Sequence, residues 1–182
     1  MKKLIVFIIA LLPCFAYALE YSKVQPDIGA VTFVSKQMNV TVEGAFKKFT
    51  AQIKLDPVKP ESGFARIEID LASIDAGSAE ANDEVKGKSW FNVAEFPKAV
   101  FVSSSVKSLG SGQFEAIGKM NLKGKSMEIK APFTIKDEKN MLNIMGYFSL
   151  KRLDFGIGSG LWSDTSVVAD EVQIKFIFVL KK

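Results

Sequence analysis

The residue types that most enzymes rely on are scarce in this chain of 182 residues, which has no histidine and a single cysteine, Cys14. Without imidazole there is no Ser-His-Asp triad, no histidine zinc site and no haem ligand of that type. Cys14 lies in the apolar N-terminal segment, so removal of that segment leaves no thiol for redox or nucleophilic work. A metal site would need oxygen ligands alone, and no pattern of spaced acids around a glycine marks a calcium loop, so neither a metal nor a cofactor is expected. Gly156-Ile157-Gly158-Ser159-Gly160 has part of the spacing of a dinucleotide loop. No strand-helix-strand unit surrounds it, and it reads as a flexible loop. Ser104 and Lys107 stand at S-x-x-K spacing and Ser163-Asp164 follows, but the Lys-Thr-Gly of such enzymes is absent. Asp70, Asp75, Asp83 and Glu84 read as solvated acids, and Asn39-Val40-Thr41 matters only in a glycosylating host. An enzyme built on this chain would have to work with Lys, Tyr or carboxylate chemistry.

Arg152 stands apart. The alternation that carries Leu142, Ile144, Phe148 and Leu150 continues in parity to position 152. A strand reaching that far would aim the guanidinium inward, where it could hold a phosphate or carboxylate head group in a bidentate grip. The plainer alternative is a pair with Asp154 or another acid across the sheet.

The elements that would position such groups are strands. Phe49, Ala51, Ile53 and Leu55 alternate with Thr50, Gln52 and Lys54. The same period of two runs through Ile67, Ile69 and Leu71, through Met127, Ile129, Ala131 and Phe133, and through Val172 to Leu180. Further strands are expected at 31–34, 40–46, 99–106, 114–122 and 141–150, separated by Asp56-Pro57, Gly110-Ser111-Gly112, Lys123-Gly124-Lys125 and 137–140. That predicts an all-β fold, an extended antiparallel barrel of about eight or nine strands. Barrel closure is favoured because it removes exposed edges. One short polar helix is expected near Ala79 to Lys86, with Ser78 as N-cap, acids in its first part, and Lys86 and Gly87 at its end.

At the N-terminus, Lys2 and Lys3, the apolar run Leu4 to Leu12 and Ala16-Tyr17-Ala18 predict a signal peptide over 1–18, leaving 19–182 as one exported domain. The apolar run is too short to span a bilayer, and bulky Leu11 and Leu12 before Cys14 argue against a lipid-modified cysteine, so no stable membrane anchor is expected. Loss of Lys2 and Lys3 lowers a formal net charge of only +4, too mild for a nucleic-acid partner.

Taken in order, Ala30-Val31-Thr32-Phe33, Val42 to Phe49, Leu55-Asp56-Pro57, Ile69 to Ile74, Lys88-Ser89-Trp90-Phe91-Asn92, Phe96 to Phe101, Gly118 to Lys125 and Arg152 to Gly158 resemble the YceI-like family across nearly all of the exported domain. The resemblance implies a lipocalin-like barrel with an apolar tunnel that, in some members, binds a polyisoprenoid or other long-chain lipid. It also implies a periplasmic or secreted location and no catalysis. Family members commonly carry an Arg and a His in the polar helix, and Ala81 to Val85 has neither.

These readings converge on a periplasmic protein that holds a long-chain lipid or isoprenoid among Phe33, Ile53, Ile69, Phe101, Phe114, Met120, Phe133 and Phe148. Trp90, Phe91 and Phe96 would close one end, and Arg152 is the head-group candidate. The alternative is a protein-interaction or stress-response module whose barrel is filled by its own side chains, with Trp90-Phe91 and Trp162 offered to a partner. The sequence leaves a homodimer open.

Overall fold

The structure, a computed structural model, describes residues 23–138 and 140–181. The expected signal peptide lies outside the described residues. Eleven strands follow in order: β1 (Lys23–Val24), β2 (Ala30–Gln37), β3 (Val40–Phe46), β4 (Phe49–Lys54), β5 (Phe64–Asp70), β6 (Ile74–Asp75), β7 (Lys98–Gly110), β8 (Gln113–Leu122), β9 (Lys125–Glu138), β10 (Met141–Lys151) and β11 (Glu171–Lys181). Among the described residues the one α-helix, α1, is Ala79–Lys86, the span read from the sequence. Nine strands have six residues or more, matching the expected number, and β1 and β6 are two-residue additions. Among the described residues no helix is long and apolar enough to cross a membrane.

All strands belong to one antiparallel sheet in the order β4-β5-β7-β8-β9-β10-β11-β2-β3-β6, with β1 beside β11. Alternation sets which side faces in. On β8, Phe114, Ala116, Met120 and Leu122 are buried while Gln113, Lys119 and Asn121 are exposed. Two turns hold the register tightly. Leu122 pairs with Lys125 and Gln37 with Val40, so each loop has two residues, and Lys123-Gly124 and Met38-Asn39 take positive φ at both central positions. That twist matches the right-handed twist of the flanking strands. β7 runs four residues beyond its last predicted position because its ladder with β8 continues past the apolar alternation, absorbing register shifts at Ser103/Ser105 and Ser108/Gly110.

The sheet curls into a half-barrel, and the way it closes differs from a continuous ladder. Its two ends, β4 and the β3-β6 side, are joined by the chain itself through Lys47 and Lys48. The Lys47 N–H donates to the Ser73 carbonyl at 3.1 Å, and the Lys48 carbonyl accepts from the Asp70 N–H at 3.0 Å. Phe49 covers the seam, its ring 5.7 Å from that of Phe178. The two ends of the half-barrel are thus joined by the bend between β3, which pairs with β2, and β4, which pairs with β5, and the outward face of β4 carries the polar side chains Thr50, Gln52 and Lys54.

Candidate ligand-binding site

The inward faces do not meet in the middle. Between them lie two adjoining, partly open spaces, one of ≈ 90 Å³ and one of ≈ 520 Å³. The narrow one lies among Ile53, Leu55, Ile67, Phe101, Val106, Ala131 and Phe133, contributed by β4, β5, β7 and β9 and the residue after β4. The wide one is bounded by Phe33, Ser35, Val42 and Phe46 on β2 and β3, by Leu150, Ile157, Trp162, Val168 and Val172, and by Trp90 and Phe91. Val31, Ile69, Ala99, Met120, Phe148 and Ile174 border both and form a collar between them. Strand periodicity explains the lining: Val31, Phe33 and Ser35 occupy alternate positions of β2 and so share its inner face.

Helix α1 covers the wide end. Ser78 caps it by accepting the Ala81 N–H at 3.2 Å, and the Asn82 side chain accepts the Ala76 N–H at 2.6 Å. Ala81 and Val85, four residues apart on one face, border the cavity with Glu80 and Glu84, yet no residue of the helix is buried. The aromatic pair hangs from the end of this helix: the Trp90 N–H donates to Gly87 and the Phe91 N–H to Val85. Phe91 packs edge-on to Phe46, and Trp90 sits 5.5 Å from Trp162.

Of the eleven apolar candidates, nine lie along the two spaces: Phe33, Trp90 and Phe91 in the wide one, Ile53, Phe101 and Phe133 in the narrow one, and Ile69, Met120 and Phe148 in the collar. Phe96 and Phe114 do not. Phe96 packs against the β8-β9 turn, where a Cβ on Gly124 would stand 2.9 Å from its ring. Phe114 is buried beside Phe133, its cross-strand partner on β9, with the two rings stacked at 5.5 Å. Ser35, Val42, Val85, Trp162, Val168 and Ile174 line the cavities without having been singled out as lining. For Ser35 and Ile174, inward strand parity was the available signal; for Trp162 and Val168, in a loop, there was none.

The structure turns Arg152 onto backbone carbonyls, away from the inward strand position expected for a head-group contact. The chain leaves β10 at Lys151 and enters a 3-10 turn, Arg152–Phe155, so the strand parity stops one residue short. The side chain is 2% exposed. Its Nε donates to Ala169 at 3.0 Å, Nη1 to Ile157 at 2.9 Å and Gly158 at 3.0 Å, and Nη2 to Trp162 and Val168 at 2.7 Å each. All five guanidinium donors thus end on backbone carbonyls. Burial pulls its pKa below the ordinary value and the charge of Asp170 opposes that pull, while the guanidinium carbon lies 5.6 Å from the Trp90 ring centroid. The glycine-rich segment is therefore not a free loop. Gly158 takes φ +73°, and a Cβ there would come within 2.1 Å of Arg152 Nη1, so only glycine lets the backbone reach the guanidinium. Two lysines tie the neighbouring hairpin to this loop: Lys123 Nζ donates to Gly156 at 2.7 Å and Lys125 Nζ to Asp154 at 2.7 Å.

The remaining chemical suspects have plain structural partners. Ser104 donates to the Ile117 carbonyl, and Lys107 pairs with Glu115 at 2.9 Å. Asp70 accepts the Ala72 N–H, Asp75 pairs with Lys47 at 2.8 Å, and Asp83 and Glu84 stand exposed on α1. No group of three or more acidic or sulfur side chains is placed to hold a metal among the described residues.

Known proteins share this architecture. The structure of Burkholderia cenocepacia BcnA matches with a TM-score of 0.84 at 45% identity, covering 86% of this chain and 99% of that one. A polyisoprenoid-binding domain from Saccharophagus degradans matches in fold with a TM-score of 0.69 at 16% identity, over 88% of this chain and 97% of that one. A UPF0312 protein of Pseudomonas syringae is 32% identical over 148 residues, 78% of this chain and 75% of its own length. Another, from Azotobacter vinelandii, is 33% identical over 125 residues, 65% of each chain. The YceI-like domain model spans residues 23–180, and with this fold and these relatives the chain belongs to the YceI-like family.

Proposed function

We propose that the chain is a periplasmic binding protein that holds one long apolar molecule of polyisoprenoid type inside the barrel and performs no chemistry on it. One observation carries the reading: the ≈ 520 Å³ and ≈ 90 Å³ spaces adjoin across an apolar collar, making an elongated hollow rather than a filled core. Burial contributes about 0.8 kcal/mol per CH₂, so ten such groups withdrawn from water supply about 8 kcal/mol, the scale of micromolar binding before ordering costs. The ligand named for the Saccharophagus degradans domain belongs to the same chemical class. The signal-like N-terminus supports export. A filled interaction module does not account for a hollow of this size.

Native mass spectrometry of the exported protein, followed by solvent extraction, tests the proposal. The expected result is a discrete adduct near one per chain that yields a long-chain lipid. A mass that is ligand-free, and stays so after incubation with isoprenoids and fatty acids, refutes it.

A further inference from the structure

Among the described residues two buried side-chain polar atoms have no hydrogen-bond partner, the Ser35 hydroxyl oxygen and the Trp90 indole nitrogen. Both residues border the wide cavity. Buried polar atoms are otherwise nearly always paired, and an unpaired one costs about 1–3 kcal/mol. The two come from different parts of the chain, β2 and the segment after α1, so a single local irregularity does not explain them. The indole N–H can only donate and the hydroxyl can donate, so their common complement is an acceptor oxygen.

The charges around the same cavity narrow the choice. Its charged border is Glu80 and Glu84 against Lys36. Hydrogen bonds from its own backbone N–H and from Ser78 hold the Glu80 carboxyl below the usual range, so it is ionised at neutral pH. The chain has two arginines. Arg152 spends every donor on carbonyls, and Arg66 is paired with Glu68 on the sheet. A phosphate or carboxylate head would meet an excess of negative charge with no free guanidinium.

We propose that the cargo's polar end is an uncharged carbonyl-type acceptor, bound by the Trp90 indole N–H and the Ser35 hydroxyl at the wide end of the barrel. This rests on the binding function proposed above and specifies its ligand class.

The chain's two tryptophans, Trp90 and Trp162, both border the cavity, so intrinsic fluorescence reports on it directly. Three probes with one kind of tail separate the terms: farnesylacetone with a ketone, farnesene with no head, and farnesyl diphosphate with an anionic one. The wild-type protein is expected to bind farnesylacetone about tenfold tighter than farnesene, and farnesyl diphosphate more weakly than farnesylacetone. In S35A/W90F, read through Trp162, the ratio of farnesylacetone to farnesene affinity should fall from about ten to about unity, whatever the change in either affinity alone. Farnesene binding also serves as the check that the variant's cavity is intact. Equal binding of ketone and hydrocarbon by the wild type, a preference that survives in S35A/W90F, or a diphosphate bound as tightly as the ketone overturns the proposal and leaves the binding function standing. Failure of all three probes to bind the wild type overturns both.

Discussion

Replacing Arg152 tests whether the wide end of the barrel is held together by a structural cation. Arg152→Met keeps much of the aliphatic volume and removes five hydrogen bonds to the carbonyls of Ile157, Gly158, Trp162, Val168 and Ala169. At about 1 kcal/mol net for each bond, full additivity gives about 5 kcal/mol, and relief of some carbonyls by water lowers this to about 3–5 kcal/mol. For a domain of this size 1 kcal/mol corresponds to about 2–4 °C, so Tm should drop by roughly 10–15 °C in a far-UV circular dichroism melt. Arg152→Lys retains the charge and at most three donors, and should recover part of that loss. A methionine variant that melts within about 2 °C of wild type but no longer takes up cargo would refute the reasoning and return the arginine to the role of ligand.

Gly158→Ala forces a Cβ at φ +73° to within 2.1 Å of Arg152 Nη1, and should lower stability by about 2–4 kcal/mol in urea titration; a loss below about 0.5 kcal/mol would mean the loop is not tied to the guanidinium as described. Ala99→Phe, in the collar between the two cavities, should cost about 1–3 kcal/mol in overpacking and selectively weaken probes long enough to reach the narrow end, as read by fluorescence titration with a chain-length series. Glu68, Asp75 and Asp164 all have carboxyls held below their ordinary values, by hydrogen bonds from Lys98 and Arg66, from Lys47 and Gly77, and from Ser166 respectively. Their contribution is present above the unfolded-state pKa values and is lost as pH falls through the depressed ones, so stability should decline below about pH 4.5. With no histidine, a stability step between about pH 5.5 and 7.5 in urea titrations would contradict this assignment.

Much of the architecture was legible because it depends on local rules. The alternation in Phe49 to Leu55 and in Val172 to Leu180 fixes which side chains face inward, and Ser78 with Gly87 brackets α1 without any tertiary information. Closure was not legible in the same way. That the bend at Lys47 and Lys48, between β3 and β4, joins the two ends of the sheet depends on contacts with Ser73 and Asp70, far along the chain. Parity brings Ile69, Met120 and Phe148 to the border of both spaces. It also turns Phe114 inward, but there it lies beside its cross-strand partner Phe133 and not along either space. Arg152 shows the limit most clearly. Its parity was correct up to Lys151, but its partners are carbonyls of residues 157–169, and backbone acceptors leave no trace in residue identity.

The polar network at Arg152 also bears on why the barrel is hollow. An end closed by apolar packing would draw large side chains into the interior and fill the space they close. Here the loop from Ile157 to Ala169 is held by a buried cation donating to its backbone. Ile157, Trp162 and Val168 can therefore border the cavity without having to fill it. On the opposite rim α1 contributes its N-cap and surface contacts but no buried residue. Both sides of the wide end are thus held by backbone hydrogen bonds, on one side from Arg152 to the loop carbonyls and on the other from the Phe91 and Val93 N–H groups to the last turn of α1, where Val85 packs on the core.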